Sequence, residues 1–195
     1  MCFHTKLTKK PRAIEHHFQA KFEAPELFSP EEHINGFTFP KTPVISNWDP
    51  SKILMMNWGL LPEWASEDWN RTYTLNAKWE TISEKPAFRD YIQNRCLIIV
   101  DGFYEWQQRG KEKVKYEIGF DDEIFALAGI FNRNTYSVVT TEAKGIMREI
   151  HNTKLRMPIA LKTREEMENW MENKEIQPRF DFTTKSEGPI QTSLF

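Results

Sequence analysis

The sequence has almost no cysteine: Cys2 and Cys96 are the only two. That excludes a disulfide framework and fits a reducing, cytoplasmic setting. It has no apolar run of membrane-spanning length, so no bilayer partner is expected. The opening residues carry Lys6, Lys9, Lys10 and Arg12 with no apolar stretch behind them, which is unlike a secretion signal. P-loop, G-x-G-x-x-G and H-E-x-x-H patterns are missing too. Their absence removes the phosphate-cradle, dinucleotide and zinc-hydrolase readings. Cys2 with His4 is only a pair, and the five histidines show no ligand spacing, so neither a metal nor a cofactor is expected. Internal repeats and low-complexity tracts are also absent.

What is present suffices for one core. With 39% hydrophobic and 13% aromatic content in 195 residues, a single domain is expected over residues 1–175, followed by a polar tail over 176–195. The tail reads as a surface segment or a flexible end because it holds prolines and lacks an amphipathic period. A formal net charge of -2 argues against indiscriminate coating of nucleic acid. It leaves room for a local basic groove, to which the stretch through Lys21 contributes unless it is an ordinary solvated helix face.

Pro11 followed by Ile14, Phe18 and Phe22 predicts an amphipathic helix over 11–22. Further helices are expected over 81–93, 143–150 and 164–173. Strands are expected over 44–48, 52–58, 95–100, 104–108, 114–118, 124–130 and 136–141, with Gly110 in a hairpin turn. The consequence is a sheet-rich α+β domain.

The first two residues raise a chemical question. If Met1 is removed, Cys2 becomes a 1,2-aminothiol, with an α-amine of pKa about 7.7–8.0 and a thiol of about 8.5, both partly reactive near neutral pH. A chance cysteine in a frayed terminus would look the same. Three more polar residues sit in apolar frames: Asn76 in "TLNAKWET", Glu105 in "IIVDGFYEW" and His151 in "REIHNTKLRMP". Each has a plain alternative, as a turn cap, an exposed partner of a lysine, or a structural histidine. A carboxylate between Tyr104 and Trp106 on an apolar strand would be partly desolvated, however, and so suited to hold or transfer a proton.

In order along the chain, "MC", "WGLLPEW", "NAKWET", "DGFYEW", "VVTTEA" and "IHNTKLRMP" resemble the SOS-response-associated peptidase family, over roughly Met1 to Trp170. The resemblance implies a single α+β domain built on a barrel-like, mostly antiparallel sheet with short flanking helices. It implies a DNA-damage protein that shields abasic sites in single-stranded DNA through a covalent crosslink at the mature N-terminal cysteine. Removal of its own Met1 would be the peptidase step, and a lyase side activity could accompany it. The catalytic set would be Cys2, Asn76, Glu105 and His151. Trp64, Lys78, Thr140 and Arg156 would serve DNA binding, with Lys78 where the family usually has arginine. The chain opens Met1-Cys2-Phe3-His4 where the family commonly has Met-Cys-Gly-Arg, and four residues, Asn152 to Leu155, separate His151 from Arg156.

The crosslink would be a thiazolidine, formed when the amine and thiol of one residue close on the sugar aldehyde. Two other readings fit the residues: a noncovalent single-strand-binding module, and an N-terminal-nucleophile hydrolase acting on other amides. A monomer is expected, placed at the nucleoid when on DNA. The closing "QTSLF" looks like a sliding-clamp docking peptide, with Gln191 held by polar contacts and Leu194 and Phe195 in an apolar pocket. The plain alternative is that this pair folds back on the domain.

Overall fold

Fourteen strands and three α-helices make up the computed structural model, which describes residues 1–190. The clamp residues Gln191, Leu194 and Phe195 lie outside the described residues. In chain order the strands are β1 (His4–Leu7), β2 (Lys21–Phe22), β3 (Glu31–Asn35), β4 (Lys41–Ser46), β5 (Asp49–Trp58), β6 (Asn76–Lys78), β7 (Arg95–Val100), β8 (Gly102–Arg109), β9 (Glu112–Gly119), β10 (Phe125–Asn132), β11 (Thr135–Glu142), β12 (Arg156–Pro158), β13 (Ala160–Leu161) and β14 (Thr183–Ile190). The helices are α1 (Pro11–Phe18), α2 (Ile146–Ile150) and α3 (Arg164–Met171).

The larger sheet runs β12-β11-β10-β7-β4-β5-β2, and a parallel pairing of β11 with β5 closes its middle strands into an uneven ring. The fold is thus α+β with a barrel-like, mostly antiparallel sheet, as expected. β7 and β10 are buried at every residue, which is why "RCLIIV" and "FALAGIFN" read as continuous apolar runs rather than alternating ones. Large side chains such as Trp58, Phe103, Phe125 and Trp170 are wholly removed from water. A fully buried side chain of this kind contributes about 1.5–3 kcal/mol.

The smaller sheet runs β14-β9-β8-β1-β3 and carries the chain's N-terminus in its interior. Residues 183–190, within the segment read as a polar tail, pair antiparallel with β9, and Phe182 packs against Phe103 and Phe120. Among the described residues no helix is long and apolar enough to cross a membrane.

Several helix boundaries differ from expectation, for local reasons. α1 ends at Phe18 rather than Phe22: Gln19 turns left-handed at φ 54°, and the Glu15 carboxylate accepts the Phe22 N–H at 3.1 Å. Lys21 and Phe22 then run beside β5. The helix expected over 81–93 is absent. Short 3₁₀ turns at Trp79–Thr81 and Arg89–Tyr91 flank Pro86, which cannot donate a helical hydrogen bond and turns the preceding residue away from helical geometry. α2 begins only after Gly145, whose φ is +52°. α3 starts on a reciprocal cap between Thr163 and Glu166.

Candidate active site

β1 lies between β3 and β8, with His4 opposite Tyr104 and Thr5 opposite Phe103. Residues 1–3 therefore enter along the inner side of the smaller sheet. Gly36 makes room for them: its N–H donates to the Phe3 carbonyl at 2.8 Å, and a Cβ there would sit 3.1 Å from that oxygen and 3.2 Å from the Trp58 ring. Cys2 is consequently fully buried.

Side chains alternate along β8, so Glu105 shares the face of Phe103, which is the core face. Phe103 is 0% and Glu105 5% exposed. Tertiary structure answers one open question here, since Glu105 is not an exposed partner of a lysine. His151 caps the end of α2 and is 7% exposed. The backbone amine of Met1 sits between the two: it lies 2.9 Å from His151 Nε2 and 3.5 Å from Glu105 Oε1, while Glu105 Oε2 is 3.7 Å from His151 Nε2.

Burial pushes the Glu105 carboxyl up to about 7, only partly offset by the neighbouring amine. Burial, then the positive terminus, brings His151 down to about 4, so the imidazole is neutral near neutral pH. The amine is lowered by burial and drawn back up by Glu105. The Cys2 thiol is raised by burial first and by the Glu105 charge second, and it stays protonated in this state. A carboxyl near 7 beside a neutral imidazole is a pair that can pass a proton in either direction.

The His151 ring is held on both sides. Its Nδ1 lies 2.8 Å from the Arg156 carbonyl and 3.1 Å from the Arg156 N–H, which donates to it. The Met1 amine lies 2.9 Å from Nε2 and 3.2 Å from Nδ1.

Asn76 is buried on β6, opposite Val138 of β11. The preceding residue, Leu75, accepts the Trp58 indole N–H at 2.9 Å, and Trp58 stacks on Tyr136. Neither Oδ1 nor Nδ2 of Asn76 has a hydrogen-bond partner among the described residues, and neither does Glu105 Oε1. A buried polar atom left unpaired costs about 1–3 kcal/mol. Such atoms mark a place where a bound group or a repositioned terminus would make the missing bonds.

The residues expected at DNA divide into two kinds. Trp64 is 58% exposed, edge-on to Trp69, and Lys78 is exposed at the end of β6. Thr140 and Arg156 face inward. Arg156 donates in a bidentate pair to Glu80, at 3.1 Å to Oε1 and 2.8 Å to Oε2, and again to the Thr140 carbonyl at 2.7 Å. The Thr140 hydroxyl reaches the Ala77 carbonyl at 3.4 Å. Glu80 was not singled out from sequence, although it lies inside "NAKWET". Only its meeting with Arg156, 76 positions away, gives it a role. The Met1 amine was likewise not foreseen between Glu105 and His151. Among the described residues no group of three metal-ligating side chains converges.

Against this geometry, the chain matches the SOS response associated peptidase (SRAP) family over residues 1–188. The chain belongs to that family. Among its SRAP relatives, the abasic site processing protein YoaM of Bacillus subtilis is 33% identical over 149 residues, covering 70% of this chain and 64% of that one. The abasic site processing protein HMCES of Gallus gallus is 31% identical over 163 residues, covering 66% of this chain and 48% of that one. The chain thus spans just under two thirds of the bacterial relative's length and about half of the avian one's. A solved structure from Bacteroides thetaiotaomicron superposes with a TM-score of 0.84 at 31% identity, covering 95% of this chain and 91% of that chain. A Bordetella bronchiseptica structure at 17% identity and a TM-score of 0.76 shares the fold.

Proposed function

We propose that this protein shields abasic sites in single-stranded DNA by forming a thiazolidine through Cys2 once Met1 has been removed. The observation that carries the reading is the N-terminal amine held between Glu105 and His151 with the Cys2 thiol buried beside it. Two relatives that bear the name abasic site processing protein add to it.

Removal of Met1 is the peptidase step: water adds across the Met1–Cys2 amide, and the new amine belongs to Cys2. An abasic site is partly a ring-opened sugar with an aldehyde at C1′. Glu105, with a carboxyl near 7, passes the proton that ring opening requires. The Cys2 amine then condenses with the aldehyde, losing water, and gives an imine. The thiol adds across the C=N bond, forming C–S while its proton goes to nitrogen. Ring closure consumes the imine that would otherwise favour β-elimination and strand cleavage, the lyase side reaction. His151, held neutral near neutral pH beside the site of the terminus, accepts protons from the Cys2 amine as it attacks. The unpaired amide of Asn76 is available to hold the freed terminus or the sugar hydroxyls. Trp64 offers an exposed ring for a base and Lys78 a charge for a phosphate.

The test is a denaturing gel of the processed protein with abasic and intact single-stranded oligonucleotides. A heat-stable adduct with the abasic strand alone is expected, lost in Cys2→Ala while binding of the intact strand persists. An adduct that survives in Cys2→Ala overturns the thiazolidine. Binding with no adduct in the wild-type protein would favour a noncovalent module. On the same reading the protein acts where abasic single strands arise, at the nucleoid. The clamp-docking role of Gln191, Leu194 and Phe195 would be tested by pull-down with the cognate clamp, using a chain truncated after Pro189.

A further inference from the structure

The residue that the structure adds to this site is Glu80. Its carboxylate is saturated: Oε1 accepts from Arg156 Nη1 at 3.1 Å, Thr141 Oγ1 at 3.0 Å and the Glu142 N–H at 3.1 Å, and Oε2 accepts from Arg156 Nη2 at 2.8 Å. The Arg156 guanidinium is thereby closed to solvent on its fork side, with its side chain only 12% exposed. A guanidinium so engaged is poorly placed to take up a DNA phosphate, whose oxygens would have to displace both carboxylate oxygens at once.

The clasp instead reaches inward. Arg156 Nη2 binds the Thr140 carbonyl, and the Thr140 hydroxyl binds the Ala77 carbonyl, next to Asn76. On its backbone side Arg156 packs on His151 Nδ1 through its carbonyl at 2.8 Å and its N–H at 3.1 Å, across the ring from Nε2, which meets the Met1 amine at 2.9 Å. One ion pair therefore ties together the strand bearing Asn76, the centre of β11 and the loop bearing His151.

We propose that Glu80 is a positioning residue. Through Arg156 it fixes the Arg156 backbone against His151 Nδ1, and so keeps the imidazole ring aimed at the terminal amine. Its importance for the reaction rests on the crosslinking function proposed above. Its effect on His151 does not, and can be read without DNA.

The charged and titratable groups facing His151 are the N-terminal amine, Glu105 of β8, Arg156 of β12 and Lys154 of the intervening turn. Burial is the largest influence holding the imidazole down at about 4, and it outweighs the Arg156 backbone contact, which works the other way. Loosening the Arg156 strand admits water, and the imidazole should then rise toward its ordinary value of about 6.5.

The experiment uses the full, processed chain with Glu80→Gln and Glu80→Asp. His151 is titrated by NMR, the single-turnover crosslinking rate is measured at pH 6 and pH 8, and affinity for an intact single strand is measured alongside. In Glu80→Gln the His151 titration should move up and the rate at pH 6 should fall roughly tenfold, the low end of what removing a support for a functional imidazole costs. The rate at pH 8 should fall less, intact-strand affinity should hold, and Glu80→Asp should recover part of both losses because the charge remains. An unmoved His151 titration in a folded variant overturns the proposal. So does a loss of intact-strand affinity equal to the loss of rate, which would make the clasp a DNA contact. If the wild-type chain forms no adduct, the proposed function fails, while the titration still decides the role of Glu80.

Discussion

Glu105 and Glu80 are the same residue type placed in opposite surroundings. Glu105 is buried on the core face of β8, its Oε1 3.5 Å from the Met1 amine but without a hydrogen bond among the described residues, and its carboxyl is pushed up to about 7 by burial. Glu80 is half-exposed, and both its oxygens accept hydrogen bonds. Although burial opposes it, the Arg156 guanidinium and the Thr141 hydroxyl bring its carboxyl down to about 2. The difference teaches where chemistry can occur. A carboxylate whose bonds are all made is a structural part that cannot take a proton near neutral pH. One that is desolvated keeps its proton up to about neutral pH and can exchange it there, at a cost to the fold.

The sharpest way to break this comparison is to neutralise each residue in turn. Glu105→Gln should slow crosslinking by roughly 10²-fold or more while leaving intact-strand binding in place, as expected for the loss of an acid/base group. A single-turnover gel assay checks it, and equal losses of rate and binding would make Glu105 structural. Stability should move in opposite directions for the two residues. Because the folded carboxyl of Glu105 is raised above its unfolded value, its stabilising contribution is present below about pH 4.5 and is lost as pH rises through about 7. Glu105→Gln should therefore gain on the wild type from pH 5 to pH 8, by up to ~3 kcal/mol. Glu80 has a depressed carboxyl, so it contributes above about pH 4.5 and loses that contribution as pH falls through about 2. Glu80→Gln should be less stable than the wild type at pH 7, and the gap should close in acid. Chemical denaturation across pH measures both.

The smallest expected effect separates the locked cation from the open one. Lys78→Ala should weaken binding of intact single strands and reduce the salt dependence by about one phosphate contact. Arg156→Ala should leave that salt dependence unchanged, because its fork is already filled by Glu80. Binding isotherms at several salt concentrations check this, and an equal change in slope for both variants would return Arg156 to the DNA-binding surface.

Much of this was legible in the residues. The apolar runs of β7 and β10 and the Gly110 hairpin marked the sheet, and "DGFYEW" marked Glu105 as a carboxyl in an apolar frame. Residues 81–93 form turns rather than the expected helix because Pro86 cannot donate a helical hydrogen bond and sets its neighbours' geometry. β1 and β6 were not legible at all. Short strands such as "HTKL" and "NAK" carry too few residues to show a period, and they exist because neighbouring strands supply their hydrogen bonds.

By itself the sequence determined the chemical inventory: a cysteine directly behind Met1, a carboxyl set between aromatics, and too few thiols and ligand spacings for disulfides or zinc. Composition and order along the chain suffice for that, because they follow from covalent structure. Only the tertiary structure decided which of these groups meet. It brought the amine of residue 1 to 2.9 Å from an imidazole 150 positions away, and it closed Arg156 onto Glu80. It also left the Asn76 side chain without a hydrogen-bond partner among the described residues. Burial and partnering arise from strands far apart in sequence, and they fix the protonation of each group. The local frame pointed to Glu105, but only the tertiary structure showed that this carboxyl is desolvated while that of Glu80 is locked by Arg156.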